Sequence, residues 1–205
     1  MAKRSVAAPL GTPVADDAGS TCGCLEPRAG RRRALRALSL APLALAARPA
    51  LAIAPSTVRS LSFYHTHTDE RLRVTYHAGG AYLRDALTRI DAFLRDFRTG
   101  ESHPIDQGLL DVLFSLSSIL DGSVFEVISG YRSPVTNARL VASSAGVSKN
   151  SLHMEGRAID VRLGGVDTRL LRAAAVELRA GGVGYYPESD FVHLDTGRPR
   201  TWGPA

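Results

Sequence analysis

Two short segments near the end of the sequence alternate apolar and polar residues, and this alternation limits the possible folds more than any other feature. In GRAIDVRL (156–163) it places Asp160 between two apolar neighbours, and in FVHLDT (191–196) it does the same for His193. Successive side chains of a β-strand point to opposite faces of the sheet. Each segment therefore predicts a strand with an apolar face toward a core and an ionisable side chain on the other face.

The sequence after residue 58 also predicts other short strands and several amphipathic helices. Two alternating runs within RSLSFYHTHTDERLRVTY (59–76) predict a hairpin. Apolar residues at helical spacing predict helices from Ala81 to Arg98 and from Asp106 to Leu120. Four more elements follow from similar patterns: a strand at VFEVIS (124–129), a short helix from Val135, a helix at VDTRLLRAAAVELRA (166–180) and a strand at VGYYP (183–187). Because the strands are short and hairpin-like, we predict an α+β fold, a single domain with a small antiparallel sheet and flanking helices.

The positive charge of the chain is concentrated in its first 52 residues. Eight of the 25 Lys and Arg residues lie there, but only three of the 20 acidic residues. The remaining residues carry equal numbers of basic and acidic side chains. A nucleic-acid binder needs a cluster of basic side chains on its folded part. The balance after residue 52 therefore argues against nucleic acid as a partner.

These first residues have the layout of an export signal. GRRRALRAL (30–38) leads into an apolar run from Ala37 to Ala47, and the small-residue pattern Ala50-Leu51-Ala52 follows, after which a signal peptidase could cut. The pair Arg31-Arg32 resembles a twin-arginine signal, which exports folded proteins. The alternative is an amphipathic or disordered basic tail. We predict three parts: a cleaved export signal (1–52), a linker (53–58) and a periplasmic domain (59–205).

The leader also determines which residues are left to hold a metal. An apolar run of eleven residues is too short to cross a bilayer as a helix, which takes about 20 residues, so we predict no integral membrane segment in the mature protein. Cys22 and Cys24 both precede the predicted cleavage site, so the mature protein has no thiol. Any metal site must then use His, Asp or Glu.

Asp160 and His193 are candidates for such a site. They meet if their two strands are neighbours with aligned polar faces, and His153, on the loop before the first strand, could fold over as a third ligand. A His/Asp/His set leaves a fourth tetrahedral position for water, which is the arrangement of a catalytic zinc site. The alternative is that the three are unrelated surface residues.

Hydrolysis at such a site also needs a carboxylate that takes a proton from water and passes it to the leaving amine. Asp195 shares the face of His193, and Asp190 lies three residues before His193. We favour Asp195 as the general base, because strand geometry places it beside His193, with Asp190 as the second candidate. The alternative for each is a carboxylate that supports a ligand or lies at the surface.

His65 and His67 form a second candidate pair, at the tip of the predicted hairpin. Their i, i+2 spacing could chelate a metal. An exposed hairpin end without metal is the simpler interpretation, and we favour it.

The motifs around these residues resemble a known family. The pattern S-x-H-x-x-G-x-A-x-D (151–160), followed by a strand with a single His, resembles the zinc peptidases grouped with lysostaphin, the D-Ala-D-Ala metallopeptidases and the hedgehog signalling domain. Within that group, three segments are similar to the murein endopeptidase K family, exported bacterial enzymes that cut peptidoglycan cross-links: SGYRSPVTNARL (129–140), GVSKNSLHMEGRAIDVRL (146–163) and GGVGYYPESDFVHLDTGRPRTW (181–202). The resemblance implies a fold like that of the hedgehog and D-Ala-D-Ala peptidase domains.

The resemblance also implies roles for individual residues. It makes His153, Asp160 and His193 the zinc ligands, directs the Arg132 guanidinium at the substrate carbonyl, where it could stabilise an oxyanion, and places Ser151 in the substrate site. Many members of the wider group have Glu three residues before the last His, where this chain has Asp190. That difference leaves the general base open.

The sequence therefore predicts a zinc-dependent, monomeric peptidoglycan endopeptidase of cell-wall remodelling. Its predicted substrates are cross-links between stem peptides, either diaminopimelate-diaminopimelate or D-Ala-diaminopimelate bonds. One alternative is a cell-wall binding module that keeps the zinc but does not hydrolyse. Another is a purely structural exported domain.

Overall fold

The computed structural model describes residues 58–143 and 147–204. The predicted export signal (1–52) lies outside the described residues, and so does the predicted linker apart from Val58. The described residues contain eight β-strands: β1 (Arg59–His65), β2 (Arg71–Ala78), β3 (Ala81–Tyr82), β4 (Phe125–Ser129), β5 (Ala158–Leu163), β6 (Gly182–Tyr186), β7 (Phe191–Asp195) and β8 (Arg200–Trp202). They also contain four α-helices: α1 (Arg84–Phe93), α2 (Gln107–Leu120), α3 (Pro134–Ser143) and α4 (Thr168–Leu178).

All eight strands belong to one sheet, in the order β3-β2-β1-β4-β5-β7-β6-β8. Most neighbours are antiparallel, but β1 pairs with β4 in parallel and β6 pairs with β8 in parallel. The predicted α+β class is confirmed. The predicted small antiparallel sheet is wrong, because the sheet is large and mixed. A local alternation of side chains shows that a segment is a strand, but it does not say which strand lies next to it.

The predicted hairpin is formed by β1 and β2, and it supplies much of the core. Phe63 of β1 pairs with Leu72 of β2, and Leu61 pairs with Val74. Phe63 is almost completely buried and its ring contacts those of Phe93 and Phe125. Burying one such side chain contributes about 1.5–3 kcal/mol relative to leaving it exposed. The apolar face of the hairpin is therefore a large part of what stabilises it against the core.

The first predicted helix is shorter than the sequence pattern suggested. Ala81 and Tyr82 form an edge strand on β2, so the helix starts only at Arg84. It ends at Phe93, and the following residues form a turn in which the Asp96 side chain accepts a hydrogen bond from the Arg98 backbone N–H (3.0 Å). At the C-terminal end the helical spacing continues past the helix because Leu94 in the turn is also buried in the core. At the N-terminal end Tyr82 and Leu83 match the spacing but are exposed.

The other helices lie close to their predicted positions. An aspartate caps α2 and another caps α4: the Asp106 carboxylate accepts from Gly108 N–H (2.9 Å), and that of Asp167 accepts from Arg169 N–H (2.8 Å). Helix α4 contacts α2 and packs on β5, β6 and β7. None of the helices in the described ranges has the length and apolar composition needed to cross a membrane.

The central strands β5 and β7 are antiparallel neighbours, and Asp160 is paired directly with His193. The condition under which the sequence predicted that these two side chains meet is therefore fulfilled. Val192 and Leu194 enter the core, so the side chain of His193 between them faces the other side of the sheet. The sheet therefore brings an imidazole and a carboxylate to one point on the face away from α4.

Candidate metal centre

The site is built from two adjacent strands and one short helix. Asp160 comes from β5 and His193 from β7, and His153 comes from a 3₁₀ helix (Leu152–Glu155) just before β5. This helix ends at Gly156, whose φ of +65° lies in the left-handed region. A Cβ there would also lie 2.2 Å from the Pro104 carbonyl oxygen. Only glycine therefore lets the chain turn from the His153 helix directly into β5.

Three side-chain atoms converge at the centre of this site. His153 Nε2 lies 3.2 Å from Asp160 Oδ1 and 3.2 Å from His193 Nδ1, and the last two atoms are 2.8 Å apart. Ligands around a tetrahedral ion with bonds of about 2.0 Å are about 3.3 Å from one another. The three atoms therefore have close to the spacing that a zinc ion requires.

Hydrogen bonds on the far side of each ring leave lone pairs directed at this centre. His153 Nδ1 lies 2.7 Å from the Gly130 carbonyl oxygen, which can only accept, so Nδ1 carries the hydrogen and Nε2 has a free lone pair. His193 Nε2 lies 3.1 Å from Asp195 Oδ2, which leaves Nδ1 as the inward lone pair. Three acceptors facing one another repel unless a metal cation or a proton lies between them. The donor set therefore fits a divalent metal.

Burial and charge favour the metal-binding forms of two of these groups. Asp160 is 3% exposed, and burial alone would raise its pKa, but the neighbouring His153, His193 and Arg132 outweigh burial and hold the pKa well below its usual value. Burial lowers the pKa of His153, which is 1% exposed. The carboxylate is therefore ionised and this imidazole neutral at neutral pH, as metal binding requires.

His193 differs because it lies between two carboxylates. Burial alone would lower its pKa, but the hydrogen bonds to Asp160 and Asp195 outweigh burial and raise it. A proton therefore competes with a metal ion at His193 as the pH falls.

Arg132 lies beside the cluster and contacts one of its members. Its Nη2 donates to Asp160 Oδ2, and its Nε donates to Ser129 Oγ (2.8 Å) at the end of β4. The Arg132 backbone N–H donates to the His153 carbonyl oxygen (3.1 Å). The guanidinium thus holds the outer oxygen of Asp160 and leaves Oδ1 for the centre.

The two carboxylates predicted as candidates for the general base lie in different surroundings. Asp195 is beside His193, with its side chain fully buried. Asp190 accepts a hydrogen bond from the Thr168 hydroxyl of α4 (2.9 Å) and forms an ion pair with Arg162 (3.3 Å). It lines a different cavity, together with Thr168 and Arg169, and not the one that holds the cluster. The structure therefore brings Asp195 to the candidate centre and does not bring Asp190 there.

A cavity of about 380 Å³ opens over the cluster. Ser151, predicted to line a substrate site, lies in its wall next to His153. An aromatic wall stands on the other side: Phe191 stacks on Tyr186, and the Trp202 ring lies 5.1 Å from the His193 ring. Trp202 Nε1 donates to the Tyr186 hydroxyl (2.9 Å), which fixes the indole at the edge of the cluster.

A pocket with this donor set can be compared with known families. The family described as peptidoglycan L,D-endopeptidase MepK matches residues 53–202. The chain belongs to the MepK family. No solved structure matches the chain significantly.

Individual MepK proteins are similar over most of their length. The chain is 41% identical over 175 residues to the peptidoglycan L,D-endopeptidase MepK of Escherichia coli K12, covering 83% of this chain and 96% of that protein. The same figures hold for MepK of Shigella flexneri. It is also 41% identical over 146 residues to the probable peptidoglycan L,D-endopeptidase MepK of Haemophilus influenzae, covering 70% of this chain and 78% of that protein.

Several residues of this MepK-family pocket were not singled out by sequence reasoning. Tyr186, Phe191, Arg200 and Trp202 all line the cavity. Trp202 lies over Gly184 of β6, where a Cβ would meet the indole at 2.5 Å. Gly184, two positions before Tyr186 in a segment rich in aromatic residues, is the sequence signal that could have indicated the aromatic wall.

The second predicted histidine pair lies elsewhere in this MepK-family chain. His65 is 1% exposed, contrary to the expectation of an exposed hairpin end, and its Nδ1 accepts from the His67 backbone N–H (3.2 Å). Its ring contacts Phe93 and Phe97 edge-on. His67 is exposed and stacks on Phe97 with ring centroids 4.3 Å apart. The two rings pack with phenylalanines rather than converging on a common point.

Proposed function

We propose that this chain is a zinc-dependent peptidoglycan L,D-endopeptidase that hydrolyses peptide cross-links of the cell wall. The observation that carries the proposal is the convergence of three lone pairs, from His153, Asp160 and His193, in the cavity of a MepK-family chain. The cavity over these residues is lined by charged and polar side chains, among them Arg132 and Ser151, that could bind a peptide.

In this proposal His153, Asp160 and His193 hold the zinc. A zinc ion with three protein ligands supplies Lewis-acid chemistry, because it acidifies a water molecule and polarises a peptide carbonyl. The remaining work falls to the protein. Arg132 holds Asp160 in place and presents the rest of its guanidinium to the substrate carbonyl, and Ser151 lines the path of the peptide.

Asp195 and Asp190 remain predictions for the group that moves the proton. Asp195 has the right location beside His193, but its oxygens already accept several hydrogen bonds. Asp190 has the more exposed carboxylate, but its contacts are with Thr168 and Arg162. Asn substitutions at the two positions separate these roles, since Asn keeps the shape of the side chain and removes its basicity.

The substrate follows from the printed names of the relatives, which are L,D-endopeptidases. We propose a bond between two diaminopimelate residues as the substrate, with a D-Ala-diaminopimelate bond as the alternative. We also propose that residues 1–52 direct export to the periplasm by a twin-arginine route and that the enzyme acts as a monomer. A fold like that of the hedgehog and D-Ala-D-Ala peptidase domains is part of the same proposal.

The test is digestion of purified sacculi by the full-length chain, with and without a chelator, followed by mass spectrometry of the muropeptides. We expect cross-linked dimers to decrease and each product pair to gain one water. We expect the chelator to stop the reaction and added zinc to restore it. The position of the new amine and carboxyl groups identifies the bond that is cut.

Asp160→Asn and Asp121→Asn form a matched pair for this test. Asp160 belongs to the cluster, whereas Asp121 is an exposed residue at the end of α2 with a left-handed backbone that Asn tolerates. We expect the first variant to be inactive and the second to match the wild type. Unchanged cross-linking with zinc-loaded wild type would contradict the proposal, and binding to sacculi without cleavage would favour a binding module.

A further inference from the structure

Asp195 is held by more donors than a proton-transfer group can accommodate. Its Oδ1 accepts from the backbone N–H groups of Gly182 (3.0 Å) and Gly197 (2.8 Å) and from Arg200 Nη1 (3.0 Å). Its Oδ2 accepts from Arg200 Nη2 (2.7 Å) and lies 3.1 Å from His193 Nε2. A carboxylate offers about four lone-pair directions, and five donors occupy them here. No direction is left for a water molecule.

The Arg200 contact has the geometry of a clamp. Both of its terminal nitrogens bind the two oxygens of one carboxylate, which is the bidentate arrangement that fixes orientation as well as charge. Asp195 is fully buried, whereas the Arg200 side chain is 38% exposed. The guanidinium also lies over the Trp202 ring, with its central carbon 4.9 Å from the ring centre, so it has a cation–π contact in the pocket wall.

The clamp connects the next strand along the chain to the candidate metal centre. Arg200 begins β8, which pairs in parallel with β6, while Asp195 ends β7. Through Asp195, the last described strand reaches the outer nitrogen of His193. A change at Arg200 therefore alters the partner that decides which nitrogen of His193 faces the metal.

We propose that Asp195 is a positioning residue and not the general base. Arg200 is a second positioning residue, which acts through Asp195. Together the two side chains fix the tautomer and orientation of His193 so that Nδ1 binds the metal. This inference rests on the proposed zinc site and goes beyond it. It assigns a function in metal binding to the RPRTW segment (198–202), in which the sequence analysis did not single out Arg200.

The experiment measures zinc affinity directly, with no substrate present. Full-length apo chain competes with a chromophoric chelator for zinc, and Co²⁺ replaces zinc in a parallel sample so that its visible spectrum reports ligand geometry. The variants are Arg200→Gln, which keeps length without charge, and Arg200→Lys, which keeps charge without the bidentate fork. Arg198→Ala is the matched control, because Arg198 is exposed and the described contacts give its side chain no hydrogen bond or ion pair.

We expect Arg200→Gln to weaken zinc binding by roughly 10- to 100-fold, the usual effect of losing a partner that orients a ligand. Arg200→Lys should fall between this variant and the wild type, and Arg198→Ala should equal the wild type. The visible spectrum of the Co²⁺-loaded Arg200→Gln variant should also shift relative to that of the Co²⁺-loaded wild type. Equal zinc affinity and an unchanged spectrum in both Arg200 variants would overturn the inference.

Asp195→Asn separates positioning from proton transfer. A positioning residue predicts weaker zinc binding in this variant, because the Asn side chain has one acceptor oxygen for donors that now use two. A general base predicts full zinc affinity with lost turnover, and that result would overturn the inference. Circular dichroism of each apo variant confirms folding. Failure of the wild type to bind zinc would instead overturn the proposed function, and this inference with it.

Discussion

The candidate metal centre and a second region, formed by the tip of the first hairpin and the turn after α1 that packs on it, each contain a buried histidine and a buried aspartate. Only the candidate metal centre has a buried imidazole nitrogen with an inward lone pair. At the hairpin tip, His65 Nδ1 accepts from the His67 backbone N–H, and Asp96 accepts from the backbone N–H groups of Ser133 (2.9 Å) and Arg98. At the metal centre, the ring nitrogen of His153 that points outward donates to a carbonyl oxygen. The inward lone pair of His153 therefore stays available.

The hydrogen-bond partner of each ring, and not burial or residue type, distinguishes His65 from the proposed metal ligand His153. Since Nδ1 of His65 is an acceptor, its hydrogen is on Nε2. This nitrogen has no hydrogen-bond partner among the described residues, and the ring packs against Phe93 and Phe97. His153 has the opposite tautomer. Substitutions in the two regions should therefore have different consequences.

The largest expected effect is that of His153→Gln. Losing one of three ligands removes the metal and with it several kcal/mol of transition-state stabilisation, so we expect cross-link cleavage to fall by about 10³-fold or more. Initial rates of muropeptide release from sacculi measure this. A variant with rates near the wild type would show that His153 is not part of the centre.

Arg132→Ala should have the next largest effect. It removes the guanidinium that holds Asp160 and faces the cavity, and we expect kcat to fall by about 10²-fold. Arg98→Ala is the matched change at the hairpin tip, where Arg98 lies over the Phe97 ring (4.1 Å). We expect Arg98→Ala to leave kcat unchanged, and equal losses in both variants would remove the distinction between the regions.

Asp96→Asn tests how the buried Asp96 carboxylate contributes to the pH dependence of the free energy of unfolding. Burial alone would raise the pKa of Asp96 from 3.8, but hydrogen bonds from Ser133 and Arg98 outweigh it and lower the pKa to about 2. A lowered pKa means that the stabilisation is present above pH 4 and is lost as the pH falls through 2. The lowered pKa corresponds to about 2 kcal/mol in the free energy of unfolding.

Urea unfolding of apo wild type and Asp96→Asn between neutral pH and pH 2 measures this contribution. We expect the wild type to lose about 2 kcal/mol more than the variant over that range. Identical pH profiles would contradict the assignment of Asp96 as an ionised, hydrogen-bonded group.

His65→Gln should have the smallest effect. It removes the acceptor for the His67 N–H and an aromatic contact, and we expect a loss of about 1–2 kcal/mol in the free energy of unfolding. Zinc affinity and turnover should not change. Loss of zinc in this variant would mean that the hairpin tip contributes to the metal site.

The sequence was sufficient to predict that Asp160 and His193 each lie on the polar face of a strand, because alternation fixes which side chains share a face. That the two strands are neighbours was only a condition of the prediction, and the fold supplies it. The sequence was not sufficient to predict β8, because three residues are too few to show an alternation. Arg200 was missed for that reason. The parallel pairing of β1 with β4 was missed because partner choice depends on the whole chain.

The same limit applies to Asp195. Alternation correctly placed it beside His193, but it gives no information on how many donors surround the carboxylate. Those donors come from Gly182, Gly197 and Arg200, which the sequence does not connect to the site. The location of Asp195 could be predicted from the local sequence pattern. Whether its carboxylate has a free lone pair could be seen only in the folded structure.

The metal content of the natively purified full-length chain tests the central claim most directly. We expect elemental analysis to find close to one zinc per chain in the wild type and in His65→Gln, and almost none in His153→Gln. A wild type without zinc, or a His153→Gln variant that retains it, would contradict the claim that His153, Asp160 and His193 together hold one ion.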